Sequence, residues 1–178
     1  MKPLFTKGYT HIYTGDGKGK TSAALGLAFR AAGSGIRSIV IQFMKGLPTG
    51  EQEASAMLGG IITIEQFGST KFCRPDDGLH EEHKRLARSG YDRAREVLTR
   101  GEFSIVILDE ILTAAKFGLI SEEDIVLLIK IKPAAVELVL TGRSAGDALI
   151  DLADLVTEMK EIKHYYQNGV APRKGIED

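Results

Sequence analysis

The stretch "THIYTGDGKGKTSAALG", Thr10 to Gly26, constrains this chain more than any other. Tyr9 to Tyr13 is rich in β-formers and runs directly into glycines at 15, 17 and 19. From Thr21 onward, Ala24, Leu25, Ala28, Phe29 and Ala32 recur at helical spacing and predict one buried helix face. Strand, glycine loop and helix in this order suit phosphate binding. Glycine opens backbone conformations closed to other residues, so successive N–H groups can turn inward onto phosphate oxygens. Lys20 would bring an ammonium to the outer phosphates, Thr21 a hydroxyl to a bound Mg2+, and the helix its positive N-terminal end. The plain alternative is a glycine-rich turn before an ordinary helix, and Gly19-Lys20-Thr21 at the first strand-to-helix junction argues against it. The usual spacing G-x-x-x-x-G-K-[ST] is nevertheless not met, because Thr14 stands where the first glycine belongs.

Beyond the loop, short apolar runs alternate with longer segments of helical period. Strands are expected at Ser38–Phe43, near Ile61–Phe67, at Ser104–Leu108 and at Val136–Leu140. Helices are expected near Glu51–Leu58, Leu79–Leu98, Ile111–Phe117 and Glu122–Lys130, with a last helix and strand between about Asp147 and Met159. In the long helix, Leu79, Leu86, Ala94, Val97 and Leu98 predict the buried face, and Glu81, Lys84, Arg85, Arg88, Asp92 and Glu96 a solvated one. The alternation predicts an α/β fold of three layers, a mainly parallel sheet with helices on both faces and right-handed crossovers. A length of 178 residues, 43% of them hydrophobic, fits a single domain, 1–178, with a sizeable core.

The run Ile105–Leu108 ends in Asp109-Glu110. Strand ends in an open α/β sheet border the ligand crevice, so these carboxylates suit Mg2+. The alternative is a helix N-cap followed by an acid in the first turn, and spacing does not rank Asp109 against Glu110. A formal net charge of -1 provides no overall positive field for nucleic acid or anionic membrane, so any anion site is local. The single cysteine, Cys73, excludes an internal disulfide. No apolar run resembles a signal peptide or approaches the roughly eighteen residues of a membrane span. These features together predict a soluble cytoplasmic protein.

"TGDGKGKTSAALGLAFRAAG", "IVIQFMKG", "IVILDEI", "VELVLTGR", "LIDLADLVTEMKEIKH" and the terminal "GIE" resemble, in this order, the ATP:corrinoid adenosyltransferases of the P-loop type. The resemblance runs from about Tyr9 to Glu177 and implies a P-loop NTPase-like fold. Family members begin the loop with Thr-Gly-Asn-Gly-Lys-Gly-Lys-Thr, so the shortened loop belongs to the resemblance and Asp16 replaces its asparagine. The implied reaction joins Co(I) of a corrinoid to the ribose 5′ carbon of ATP and expels triphosphate. Thr14, Gly15, Asp16, Gly17, Lys18, Gly19, Lys20, Thr21 and Ser22 then match the ATP loop, with Lys18 and Lys20 stabilising the leaving triphosphate. Glu110, with Asp109 and Thr21, matches the site for Mg2+ or Mn2+, and Arg143 a nucleotide contact. The loop from Phe67 to Arg74 falls where the family places an aromatic pair that helps displace the corrinoid's lower ligand; Phe72 matches one member, and Thr70 or Lys71 stands in place of the other. The resemblance also implies a homodimer and an electron-donating flavoprotein reductase as partner. The stretch before the first strand is short for the family, so the lid over the corrinoid is expected to be shorter, absent or supplied by a partner subunit.

Other residues have plainer readings. His80 and His83 are three apart, where the metal-binding H-E-x-x-H pattern needs four, and are expected on a helix surface. Cys73 is expected to take no part in chemistry, Arg30 is as readily solvated as engaged, and His164 is expected to pack beneath the site. Two other functions fit the loop alone: a small kinase or NTP-hydrolysing enzyme, and a nucleotide-dependent binding module without chemistry.

Overall fold

A computed structural model describes residues 5–71 and 80–177. Six strands, β1 (Thr10–Thr14), β2 (Ser38–Phe43), β3 (Ile62–Phe67), β4 (Ile105–Asp109), β5 (Glu137–Thr141) and β6 (Leu155–Glu158), form one sheet in the order β3-β2-β4-β5-β1-β6. Every adjacent pair is parallel. The helices are α1 (Lys20–Ala32), α2 (Gly50–Met57), α3 (His80–Arg100), α4 (Ile111–Lys116), α5 (Glu122–Ile131) and α6 (Asp147–Leu152). All residues of β2 and β4 are buried, because helices cover both faces of the central sheet.

The alternation of side chains along each strand divides the core into two layers. Val40, Ile62, Ile105, Ile107 and Val139 face the alanines 24, 28 and 31 of α1. Ile39, Ile41, Val106, Leu108, Leu138 and Leu140 face α3, α4 and α5. Small alanines let α1 lie close to the sheet, directly over the strands whose ends carry the loop and the acids.

Two expected faces are corrected. Phe29 is 66% exposed. The buried stripe of α1 runs through Ala24, Ala28 and Ala31, and one step past Ala28 turns Phe29 about 100° toward solvent. His83, expected on the surface, is only 3% exposed. It stands four residues before Ala87 and eight before Tyr91, so it shares the face of α3 that enters the core, while Leu86 is half-buried. The start expected at Leu79 lies outside the described residues. The expected last strand, β6, exists but is an exposed edge that, among the described residues, pairs with β1 alone.

Parallel pairing brings the C-terminal ends of β1, β2, β4 and β5 to one side of the sheet. Among the described residues, the non-glycine residues with positive φ are Met44 (62°), Glu110 (61°) and Ser144 (64°). They follow the ends of β2, β4 and β5, so left-handed conformations costly to side chains gather on the edge where the loop lies.

Candidate active site

A cleft of about 560 Å3 opens along this edge between the loop after β1, the ends of β2 and β4, and the segment after β6. Gly15 (φ 98°) and Gly19 (φ 112°) turn the loop through conformations that favour glycine. Gly17 is needed for another reason: an added Cβ would lie 2.7 Å from Met159 O and 2.9 Å from Lys160 C. Its N–H donates to Met159 O at 2.7 Å, so this amide is held by the C-terminal segment rather than turned inward as the sequence predicts.

Lys20 folds back across the loop and donates to Gly15 O at 2.6 Å and Gly17 O at 2.7 Å. Only 7% of it is exposed. Burial lowers its pKa below the ordinary lysine value, and the nearby Glu110, Asp16 and Asp109 oppose that shift. The ammonium is thus held among loop carbonyls at the cleft, ready to exchange them for stronger anionic acceptors.

Asp109 lies beneath the cleft with no exposure. Its Oδ1 accepts from the hydroxyls of Thr21 and Thr141, each at 2.7 Å. Its Oδ2 takes the Gln42 amide at 3.2 Å and pairs with Lys45 Nζ at 3.2 Å. Glu110 lines the cleft wall, and Thr113 donates its hydroxyl to the Glu110 carboxylate. Glu110 also occupies the N-cap position of α4 but caps no N–H through its side chain. The two acids that spacing leaves unranked therefore differ: one is a fixed buried hub, the other a wall residue.

The remaining expected residues divide. Ser22 and Arg143 line the cleft, and Arg143 Nη1 stands 3.9 Å from Asp16 Oδ1, itself on the cleft wall. Thr14 is buried and accepts the Ala145 N–H at 3.3 Å, a bond from β1 to the loop after β5. Lys18 lines the cleft but is bonded to Tyr165 Oη at 2.8 Å and Glu177 Oε1 at 3.0 Å. Phe67 ends β3 and packs against the core beside Gly90 of α3, and is not among the cleft-lining residues. Phe72 and Cys73 lie outside the described residues. His164, expected beneath the site, stands on the cleft wall, its Nδ1 accepting the Tyr166 N–H at 3.0 Å.

Sequence reasoning missed Gln42, Lys45 and Glu51, where the Gln42 amide and Lys45 ammonium both reach Glu51 Oε1. The signal was available, since "QFMKG" leaves a buried strand at the same edge as Asp109. It also missed the C-terminal node, in which Glu177 gathers Lys18, Tyr165 and Arg173.

A parallel sheet whose first strand feeds a Gly-Lys-Thr loop, with a buried aspartate tied to that threonine from another strand end, defines a P-loop α/β nucleotide-binding protein. Residues 6–177 match the family described as ATP:corrinoid adenosyltransferase BtuR/CobO/CobP. The chain belongs to this family. It is 35% identical over 174 residues to a corrinoid adenosyltransferase of Sinorhizobium sp, covering 96% of this chain and 80% of that protein. It is 32% identical to the corrinoid adenosyltransferase of Pseudomonas aeruginosa, over 96% of this chain and 84% of that protein. The corrinoid adenosyltransferase of Escherichia coli is 31% identical, over 96% and 86% respectively. Among the described residues no helix is long and apolar enough to cross a membrane.

Proposed function

We propose that this enzyme transfers the 5′-deoxyadenosyl group of ATP to the reduced cobalt of a corrinoid, releasing triphosphate, in the making or salvage of adenosylcobalamin. The observation that carries the reading is the bond from Thr21 of the phosphate loop to Asp109, in a chain that matches the family from residue 6 to 177. The Co(I) electron pair forms the bond to the ribose 5′ carbon while the carbon–oxygen bond to triphosphate breaks, and the oxygen departs with the electron pair of that broken bond. No water is activated. The protein's tasks are alignment of cobalt with carbon and stabilisation of charge on the departing triphosphate.

Lys20 suits the second task because it is buried beside the cleft and already held across the loop, and the loop amides other than that of Gly17 are assigned to the same task. Lys18 joins them if triphosphate draws it from Glu177, and Arg143 reaches the nucleotide from the loop after β5. Thr21, Asp109 and Glu110 offer a hydroxyl and carboxylates, hard oxygen donors suited to Mg2+ or Mn2+. Such an ion would neutralise charge on the triphosphate. Phe67 and Phe72 are assigned to the corrinoid side. The reading further holds that residues 1–178 act as one domain, that the protein works as a cytoplasmic homodimer, and that a flavoprotein reductase supplies Co(I).

The test is anaerobic incubation with MgATP and chemically reduced cobalamin. A light-sensitive adenosyl spectrum with stoichiometric triphosphate is expected. Formation of ADP without a cobalt–carbon bond would instead establish phosphoryl transfer or hydrolysis.

A further inference from the structure

Lys45 has no part in the phosphate-site reading, yet it lines the same cleft. Its Nζ lies 3.2 Å from Asp109 Oδ2 and 3.2 Å from Glu51 Oε1. The backbone beneath it is clamped. Met44 holds φ 62°, and an added Cβ at Gly68 would meet Lys45 N at 2.3 Å, so the turns after β2 and β3 are pressed together. A fixed backbone thus carries a long, rotatable stem with a cation at its tip.

Asp109 Oδ1 is already filled by two hydroxyls, so Oδ2 is the oxygen to which a further cation has access, and Lys45 and Gln42 share it. Two cations on one carboxylate oxygen repel strongly at such distances.

We propose that Lys45 is a tethered counter-ion shared between Asp109 and the polyphosphate: it neutralises Asp109 and Glu51 before a metal–nucleotide enters, and binds the polyphosphate once a divalent cation takes its place. This rests on the adenosyltransferase reading, in which the cleft receives a metal-bound triphosphate. Removing the ammonium therefore acts in opposite directions on two ligands. Metal alone gains an uncontested carboxylate, and metal–polyphosphate loses a charge-assisted donor.

The experiment measures Mn2+ binding without nucleotide, by the paramagnetic resonance of free Mn2+, and binding of Mg2+-tripolyphosphate by calorimetry. The proteins are the full chain, Lys45→Ala, Lys45→Met, which keeps the stem, and Lys45→Arg, which keeps the charge. Lys45→Met and Lys45→Ala are expected to bind Mn2+ about threefold or more tighter and Mg2+-tripolyphosphate about tenfold weaker, the loss of one charge-assisted hydrogen bond. Lys45→Arg is expected to stay near the full chain in both. Parallel weakening of both ligands, or no change in either, overturns the inference. A full chain that binds tripolyphosphate and forms the adenosyl product while both affinities ignore Lys45 refutes this inference alone. A full chain that does neither refutes the functional reading as well.

Discussion

Thr21 of α1 donates its hydroxyl to Oδ1 of Asp109 at the end of β4, 2.7 Å away and 88 residues distant in the chain. Thr141 at the end of β5 donates to the same oxygen, and its own Oγ1 accepts the Glu110 N–H at 2.9 Å. One buried carboxylate thereby fixes the phosphate loop relative to two strand ends.

Thr21→Val keeps the side-chain shape and removes the donor, leaving the buried Asp109 carboxylate less satisfied. A stability loss of about 1.5–3 kcal/mol is expected in denaturant titration, the range for a hydrogen bond to a charged group. Thr21→Ser should retain most of it. Equal stability of the valine and serine variants would show that this bond fixes nothing.

Lys20→Ala removes the ammonium held on the loop carbonyls. Turnover is expected to fall tenfold or more, roughly 1.4 kcal/mol of transition-state stabilisation per decade. Initial rates of adenosyl product formation check this, with circular dichroism to establish that the variant is folded. An unchanged rate removes Lys20 from the mechanism.

Gly17→Ala and Gly26→Ala should act oppositely. At Gly17 the added carbon meets backbone atoms of Met159 and Lys160 within 3.0 Å, so the C-terminal segment must move. A loss of about 1–3 kcal/mol is expected, as for other enforced backbone strain. At Gly26, exposed in the interior of α1, nothing lies within 4 Å, and alanine should stabilise by about 0.5–1 kcal/mol through helix propensity. Thermal midpoints of the two variants decide the matter.

Acid should release the C-terminal segment. Hydrogen bonds from Arg173, then Tyr165 and Lys18, hold the Glu177 carboxyl far below the usual glutamate range. A depressed carboxyl stabilises the folded form fully above its unfolded pKa of about 4.3 and loses that contribution as pH falls from there through the lower folded value. Amide protection over residues 160–177, taken relative to the intrinsic exchange rate at each pH, is therefore expected to fall below about pH 4.3 in the native chain. In Glu177→Gln that protection should already be low at neutral pH and change little with acid. Identical profiles for the two proteins would dismiss Glu177 as the clasp.

Much of the fold was legible because burial on both faces writes itself into a strand. β2 and β4 are nearly continuous apolar runs, and their expected and observed bounds agree within a residue. The helix faces were harder. In α1 the deciding residues are alanines, which pack closely but carry little hydrophobic signal, so Phe29 drew the expected face to the wrong side. In α3 a histidine shares the stripe of Ala87 and Tyr91, a polar residue placed by helical geometry rather than by its transfer preference.

Of the candidate site, the order and residue types of the loop and the position of the acids at a strand end were set by the sequence by itself. Local propensity and strand burial are properties of neighbouring residues, and neighbouring residues are what a sequence displays. Only the tertiary structure decided that Asp109 is the buried hub and Glu110 the wall, that Lys45 faces Asp109, and that Lys18 is held by Glu177, 159 residues away. Those relations depend on strand order and on how far each chain segment overshoots its strand. Both are fixed by packing between residues far apart in the chain, which no local pattern records.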